Sequence, residues 1–213
     1  MDRLFGFPIV KYKVPPLEYK KAELTSTILE NYNIDKERNT WDTHSYLHQN
    51  IADEYNTKFK IPDCSSLEPI YLKMSQQYVK SLNLNNKISI EIVNYTCTDK
   101  NNFMDPHIHG PADFVGVHYV SFDPNVHIST VFQNPSEGNA TYARLLKPEL
   151  YKLIQEQKGS FNSWMKPNFS YPQVEEDDVL LWPSILKHGI MKQPKKSTKK
   201  RISITFNVYL KYV

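Results

Sequence analysis

Cysteine is almost missing from this chain. Its only two, Cys64 and Cys97, stand in no metal-binding or redox spacing, which excludes a disulfide-stapled fold and makes a reducing, cytoplasmic location the default expectation. Long apolar runs are missing too. The opening MDRLFGFPIVKYKV has an acid at its second position and an apolar run cut by Pro8, so neither a signal peptide nor a membrane span is expected. Charge of one sign is also scarce, with a formal net charge of +3. The one dense basic run, KQPKKSTKK at 192–200, reads as a solvated hairpin tip. Nucleic acid is not an expected partner, because phosphate binding needs several cations on one face. Internal repeats and low-complexity stretches are absent.

What remains is a globular composition, 40% hydrophobic and 13% aromatic, with charges of both signs. A length of 213 residues suits one domain with a full core. Val10, Tyr12 and Val14 alternate with Lys11 and Lys13, the period of a half-buried strand. Between about 17 and 84 the period becomes helical. Ala22, Thr25, Ile28, Leu29 and Tyr32 mark one amphipathic helix, and Leu67, Ile70, Tyr71, Met74, Tyr78 and Leu82 a second. Ser65 or Ser66 is expected to cap the second, with Pro69 tolerated in its first turn. A weaker helix is expected around 42–55. Strand-like runs then begin at 88, 114, 126, 178 and 201, interrupted only by a helical pattern at 143–157 that contains Pro148. Such spacing predicts a sandwich or jelly roll.

The chemistry-bearing residues lie in that second half. In DPHIHGPADFVGVHYV, residues 105–120, two histidines stand two apart where a buried strand begins. Side chains at i and i+2 of an extended strand point the same way, so His107 and His109 present two imidazoles to one point. A third ligand is needed, and His188 in DDVLLWPSILKHGI is the candidate. Further on, RISITFN puts Arg201, Ser203, Thr205 and Asn207 on one strand face and Ile202, Ile204 and Phe206 on the other. A guanidinium fork with a hydroxyl two residues away makes a good carboxylate receptor. His44 and His48 are i, i+4 on the expected weak helix, but no acid follows the first and no third ligand is evident. His118 and His127 fall inside strand patterns and read as structural.

Taken in order, HxH, WPSxxxH and RxSxxFN resemble the Fe(II)/2-oxoglutarate-dependent oxygenases. The likeness is closest to a group frequent in phage and marine bacterial genomes whose motifs read HxHxxxxxSGVYYV and FPSxLxH. Here these stand as HIHGPADFVGVHYV and WPSILKH, within roughly 88–213, and LFGFPIV is similar to the group's N-terminus. The resemblance implies one domain, 1–213: a double-stranded β-helix (jelly roll) over 87–213, with the N-terminal strand and supporting helices in 1–86. It implies one Fe(II) held by His107, His188 and a third ligand. His109 has the right spacing, yet most of the superfamily carries Asp or Glu there; Asp105 and Asp113 are the nearby carboxylates that would substitute. Three neutral ligands would leave the iron more positive than two histidines and a carboxylate. Arg201 and Ser203 would bind the distal carboxylate of 2-oxoglutarate, with Tyr119 as a further partner. Asn94 and Tyr95 stand where the group shows Asn-x-Trp and are expected to line the site, as is Asn207.

The implied reaction consumes 2-oxoglutarate and dioxygen, hydroxylates a second substrate and releases succinate and CO2. The sequence does not choose among a peptide, a nucleotide and a metabolite as that substrate, and the location becomes the host cytoplasm if the chain is phage-encoded. Two alternatives stay open. HxH followed by Asp113 and a distant histidine also resembles the cupin spacing, although cupins require no Arg-x-Ser on the last strand. A binding scaffold of the same fold without iron is the other.

Overall fold

The structure is a computed structural model that describes residues 2–4, 6–36, 47–51, 58–100, 102–135, 169–193 and 197–211. In chain order these form β1 (Asp2–Leu4), β2 (Phe7–Lys13), α1 (Lys21–Ile34), β3 (Leu47–Asn50), α2 (Glu68–Ser81), β4 (Lys87–Thr98) and β5 (Met104–His107). They continue with β6 (Phe114–Ser121), β7 (Val131–Gln133), β8 (Phe169–Ser170), β9 (Asp178–Pro183), β10 (His188–Ile190) and β11 (Arg201–Lys211). The strands make two antiparallel sheets, a larger one ordered β1-β2-β9-β6-β11-β4-β3 and a smaller one ordered β5-β10-β7-β8. The chain is mainly β.

β11 lies inside the larger sheet between β6 and β4, and its residues Arg201 to Val208 are all buried. One face, Ile202, Ile204, Phe206 and Val208, packs with Leu24 and Ile28 of α1 and Tyr71 and Tyr78 of α2. Tyr71 stacks on Phe206 with ring centroids 4.1 Å apart, and its hydroxyl meets Nδ1 of His118 at 2.8 Å. The other face of the sheet gives a second core, in which Val115, Val117, Leu180 and Trp182 meet Phe132 of β7 in the smaller sheet. β6 is buried along its whole length because both of its faces are covered.

The first strands are tied to the far end of the chain. β2 pairs with β9 in the register Val10↔Leu181 to Lys13↔Asp178. Just before β9, Asp177 sits at φ 67, a left-handed conformation that aspartate tolerates better than most residues. Its carboxylate accepts bonds from the Tyr19 hydroxyl at 2.5 Å and from the Lys21 ammonium at 2.6 Å, which fastens the start of α1 to that turn.

Several local expectations change. The segment expected as a weak helix around 42–55 contains strand β3 at 47–50, so His48 stands on a strand and not on a helix; the rest of it, His44 and with it the His44–His48 pair included, lies outside the described residues apart from Ile51. The helical pattern at 143–157 also lies outside them. In the run beginning at 126 only Val131–Gln133 is strand, and His127 instead accepts a bond from the Asp123 N–H across a turn. Neither Ser65 nor Ser66 caps α2: its N-cap is Leu67, and Ser65 turns its hydroxyl to the Asp63 carboxylate at 2.6 Å. The buried face of α1 is Leu24, Ile28, Asn31 and Tyr32, with Ala22 exposed, because Asn31 is held inside by the Tyr95 hydroxyl and the Lys60 backbone. Both cysteines are free and buried. No helix among the described residues is long and apolar enough to cross a membrane.

Gly116 on β6 has no room for a side chain. A Cβ there would lie 2.0 Å from Cζ of Phe206, and that ring is pinned by its stack on Tyr71. Gly116→Ala is expected to lower the unfolding free energy by about 1–3 kcal/mol, the usual cost of overpacking, read as a fall in the urea midpoint.

Candidate metal centre

β5 and β10 pair antiparallel with His188 directly opposite His107. His109 follows just beyond β5, where its N–H meets the Ser184 carbonyl at 3.3 Å on the turn that leads toward β10. The three rings therefore converge. Centroids of His107 and His188 are 4.6 Å apart, those of His109 and His188 5.1 Å, and those of His107 and His109 5.3 Å. One nitrogen from each lies within 4.8 Å of the others, and among the described residues this is the one cluster that can hold a metal ion.

Each ring is oriented through Nδ1. In His107 it meets the Asp105 carbonyl at 2.9 Å, in His188 the Leu186 carbonyl at 3.0 Å, and in His109 Oδ1 of Asn207 at 2.9 Å. A carbonyl oxygen only accepts, so Nδ1 carries the hydrogen and the Nε2 lone pair is left for a ligand. Burial, and after it the neighbouring imidazoles, push His188 well below the ordinary histidine value, and burial holds His109 at about 4 and His107 below normal. Trp182 stands edge-on to His188 with centroids 4.8 Å apart. Three neutral nitrogen donors result, a set that suits a divalent first-row metal.

The close approach of β5 and β10 depends on Gly189. A Cβ there would lie 2.4 Å from the Met104 carbonyl oxygen, which is backbone. Neither nearby carboxylate joins the cluster. Asp105 is exposed on β5, and Asp113 accepts the Leu210 N–H at 2.7 Å.

A small recess opens between the three histidines and the inner face of the larger sheet, and its far wall carries Arg201, Ser203 and Thr205 of β11 with Asn94 and Thr96 of β4. Arg201 is 0% exposed. Its Nε donates to the Ile128 carbonyl and its Nη1 to Ser203 Oγ, both at 3.2 Å, while Ser203 and Thr96 share a hydroxyl bond at 2.7 Å. Thr98, in register with Arg201, has a buried hydroxyl with no hydrogen-bond partner among the described residues. A buried cation beside hydroxyls that can still donate fits a carboxylate-bearing ligand.

The expected site residues divide. Asn94 lines the recess, whereas Tyr95, next along β4, faces the helices and bonds Asn31 at 2.6 Å. Tyr119 lies under the Arg201 guanidinium with 5.3 Å to the ring centre, but its hydroxyl donates to Thr130 Oγ1 and accepts from the Thr130 N–H. Thr130 itself reaches the recess. Asn207 supports His109 from behind. Sequence reasoning missed Thr96, Thr130 and Gly189, and weighed His48 only as a partner of His44, whereas β3 brings it into the wall opposite Thr96. For Thr96 a signal existed: it is i+2 from Asn94 on a strand.

A profile of the family described as "Putative 2OG-Fe(II) oxygenase" matches residues 94–207, more than half of the chain. The chain belongs to this family. That match spans all three histidines together with Arg201 and Ser203. No curated protein matches the chain in sequence. Among solved structures, a Pseudomonas putida prolyl-4-hydroxylase is similar over 97% of this chain and 94% of its own, with TM-score 0.54 and 8% identity. A Trichoplax adhaerens prolyl hydroxylase, solved with a hypoxia inducible factor peptide fragment, is similar over 96% of this chain and 83% of its own, with TM-score 0.52 and 12% identity. At such identities the likeness is one of fold.

Two outcomes are expected. Gly189→Ala should part β5 from β10 and weaken metal binding while far-UV circular dichroism stays unchanged, as read by titrating Co(II) into the metal-free protein. The second concerns acid. His109 is held at about 4 in the fold against an ordinary 6.5, so between these values the unfolded chain binds the extra proton. Stability of the metal-free protein is therefore full above pH 6.5 and falls toward pH 4, by about 1.4 kcal/mol per pH unit for each such imidazole. Urea midpoints across this range should show the decline, and His109→Gln should make it shallower.

Proposed function

We propose that the chain is an Fe(II)- and 2-oxoglutarate-dependent dioxygenase that hydroxylates a second substrate and releases succinate and CO2. The observation that carries this reading is that a cluster of three neutral imidazoles and a buried Arg201–Ser203 pair line one recess. In this reading His107, His109 and His188 hold the iron through Nε2, and the fold is a double-stranded β-helix supported by the N-terminal helices. The motif likeness to the phage and marine bacterial group accords with it.

Bound iron and 2-oxoglutarate supply, with dioxygen, the power to oxidise a C–H bond. The chain's own part is to orient and to exclude water. Arg201 presents two parallel donors in a fixed plane to the distal carboxylate, and Ser203 adds a hydroxyl. The Tyr119 ring beneath Arg201 and the Ile128 carbonyl on its Nε hold the guanidinium in place before the ligand arrives. Met104, Val117 and Ile190 give the recess an apolar side that keeps water from the histidines. A peptide, a nucleotide and a metabolite all remain candidates for the second substrate.

The test is a titration of 2-oxoglutarate into the anaerobic Fe(II) protein, followed by its metal-to-ligand absorption band. Truncating a buried charge partner costs on the order of 2–5 kcal/mol, so Arg201→Ala should weaken 2-oxoglutarate by about thirtyfold or more with iron occupancy unchanged. Arg201→Lys should recover only part, since an ammonium lacks the planar fork. His188→Ala should lose the metal. An iron-loaded wild type that ignores 2-oxoglutarate would overturn this reading in favour of a cupin-type metalloenzyme, and a wild type that takes up no metal would favour a binding scaffold.

A further inference from the structure

Two of the three imidazoles are oriented by a backbone carbonyl two residues back in their own chain, but His109 relies on the side chain of Asn207. That amide is one link in a longer series. Asn207 Nδ2 donates to the Tyr209 hydroxyl at 3.3 Å, and the Tyr209 hydroxyl donates to Oε2 of Glu91 at 2.6 Å. Asn207 and Tyr209 share a face of β11, and Glu91 stands opposite Asn207 on β4. The series runs from the buried cluster to an exposed carboxylate.

We propose that Glu91, acting through Tyr209 and Asn207, is a positioning residue that fixes the tautomer of His109 and so aims its Nε2 lone pair at the metal. The polarity of the series requires this. An amide has an acceptor and a donor of nearly equal shape, and a phenol both donates and accepts, so neither sets a direction by itself. An ionised carboxylate only accepts. Glu91 therefore accepts the hydrogen bond from the Tyr209 hydroxyl, short at 2.6 Å. The phenol oxygen is then left to accept from Asn207 Nδ2, which turns Oδ1 toward His109, and Oδ1 demands a hydrogen on Nδ1. Reverse any link and the hydrogen of His109 moves to Nε2, where it blocks ligation. Burial and the Glu91 bond both raise the Tyr209 hydroxyl above the usual phenol range, so it keeps the proton it must donate. Because each bond polarises the next, the series also lends the imidazole some of the electron density that a directly bound carboxylate would give a metal.

The proposal rests on the reading of His109 as a ligand, and two independent readouts keep the two apart. The first is the tautomer of His109 in metal-free protein labelled with nitrogen-15 at histidine, followed by long-range proton–nitrogen correlation. Wild type should show the Nδ1–H form. Tyr209→Phe and Glu91→Gln, at half-buried and exposed positions, should give a mixture with the Nε2–H form. The second readout is Co(II) affinity: Tyr209→Phe should bind on the order of tenfold more weakly, the low end of what an outer hydrogen-bond partner contributes, and Glu91→Gln less so. Asn207→Asp puts a carboxylate directly on Nδ1, so in that background Tyr209→Phe should change neither readout. If Tyr209→Phe and Glu91→Gln both leave His109 wholly in the Nδ1–H form, the proposal is overturned. If the tautomer shifts while Co(II) affinity holds, the relay stands and His109 is not a ligand.

Discussion

A strand buried on both faces cannot carry a polar group without giving it a partner, and β11 carries four such residues in a row of alternate positions. Arg201, Ser203, Thr205 and Asn207 all face inward while their apolar neighbours face the helices. The unpartnered cost of any one of them is large enough to matter against a protein's net stability. Much of the rest of the architecture answers that demand. β4 brings Thr96 to Ser203, the turn before β7 brings the Ile128 carbonyl to Arg201, and the segment after β5 brings His109 to Asn207. The recess is what remains where the two sheets supply polar walls without filling the space between them.

The opposite wall solves a different problem. Three imidazoles packed together cannot all be charged, and burial beside Trp182 settles the matter toward neutrality. Once neutral, each ring must choose which nitrogen keeps the hydrogen. For His107 and His188 the chain makes that choice locally, with carbonyls at i−2. His109 lies past the strand end, and for it the choice passes to another sheet. The histidine cluster and the Arg201–Ser203 pair are thus mechanically joined through β11.

How much of this was legible depended on whether a signal was local. The alternation in RISITFN separates the helix-facing residues from the inward ones without any knowledge of the fold. The i, i+2 rule likewise brings His107 and His109 together. His48 was hidden because four residues of strand, LHQN, are too short to show a period against the helical spacing of His44 and His48. Tyr95 was drawn in with Asn94 by the Asn-x-Trp likeness, while strict alternation along β4 selects Asn94, Thr96 and Thr98 instead. A capping serine would accept from a backbone N–H of α2, but the Ser65 hydroxyl donates to the Asp63 carboxylate two residues back, and Leu67 takes the N-cap position. Gly189 and the Glu91–Tyr209 contact lay beyond any reading along the chain. The first depends on how closely two strands approach, and the second on a pairing register that slips between Thr205 and Phe206.

The pairing of β2 with β9 bears on how the molecule comes to be made. The larger sheet cannot close until residues 178–183 meet residues 7–13, nor can α1 anchor to Asp177 before then. During synthesis β2, α1 and α2 emerge long before their partner, with apolar faces that β11 covers only later still. Contacts so distant in sequence favour slow folding and leave intermediates exposed to aggregation. A ribosome delivering this chain releases most of it before the sheet can be completed, so the order of synthesis puts a demand on whatever shields those helices in the interval that the stability of the finished protein does not meet.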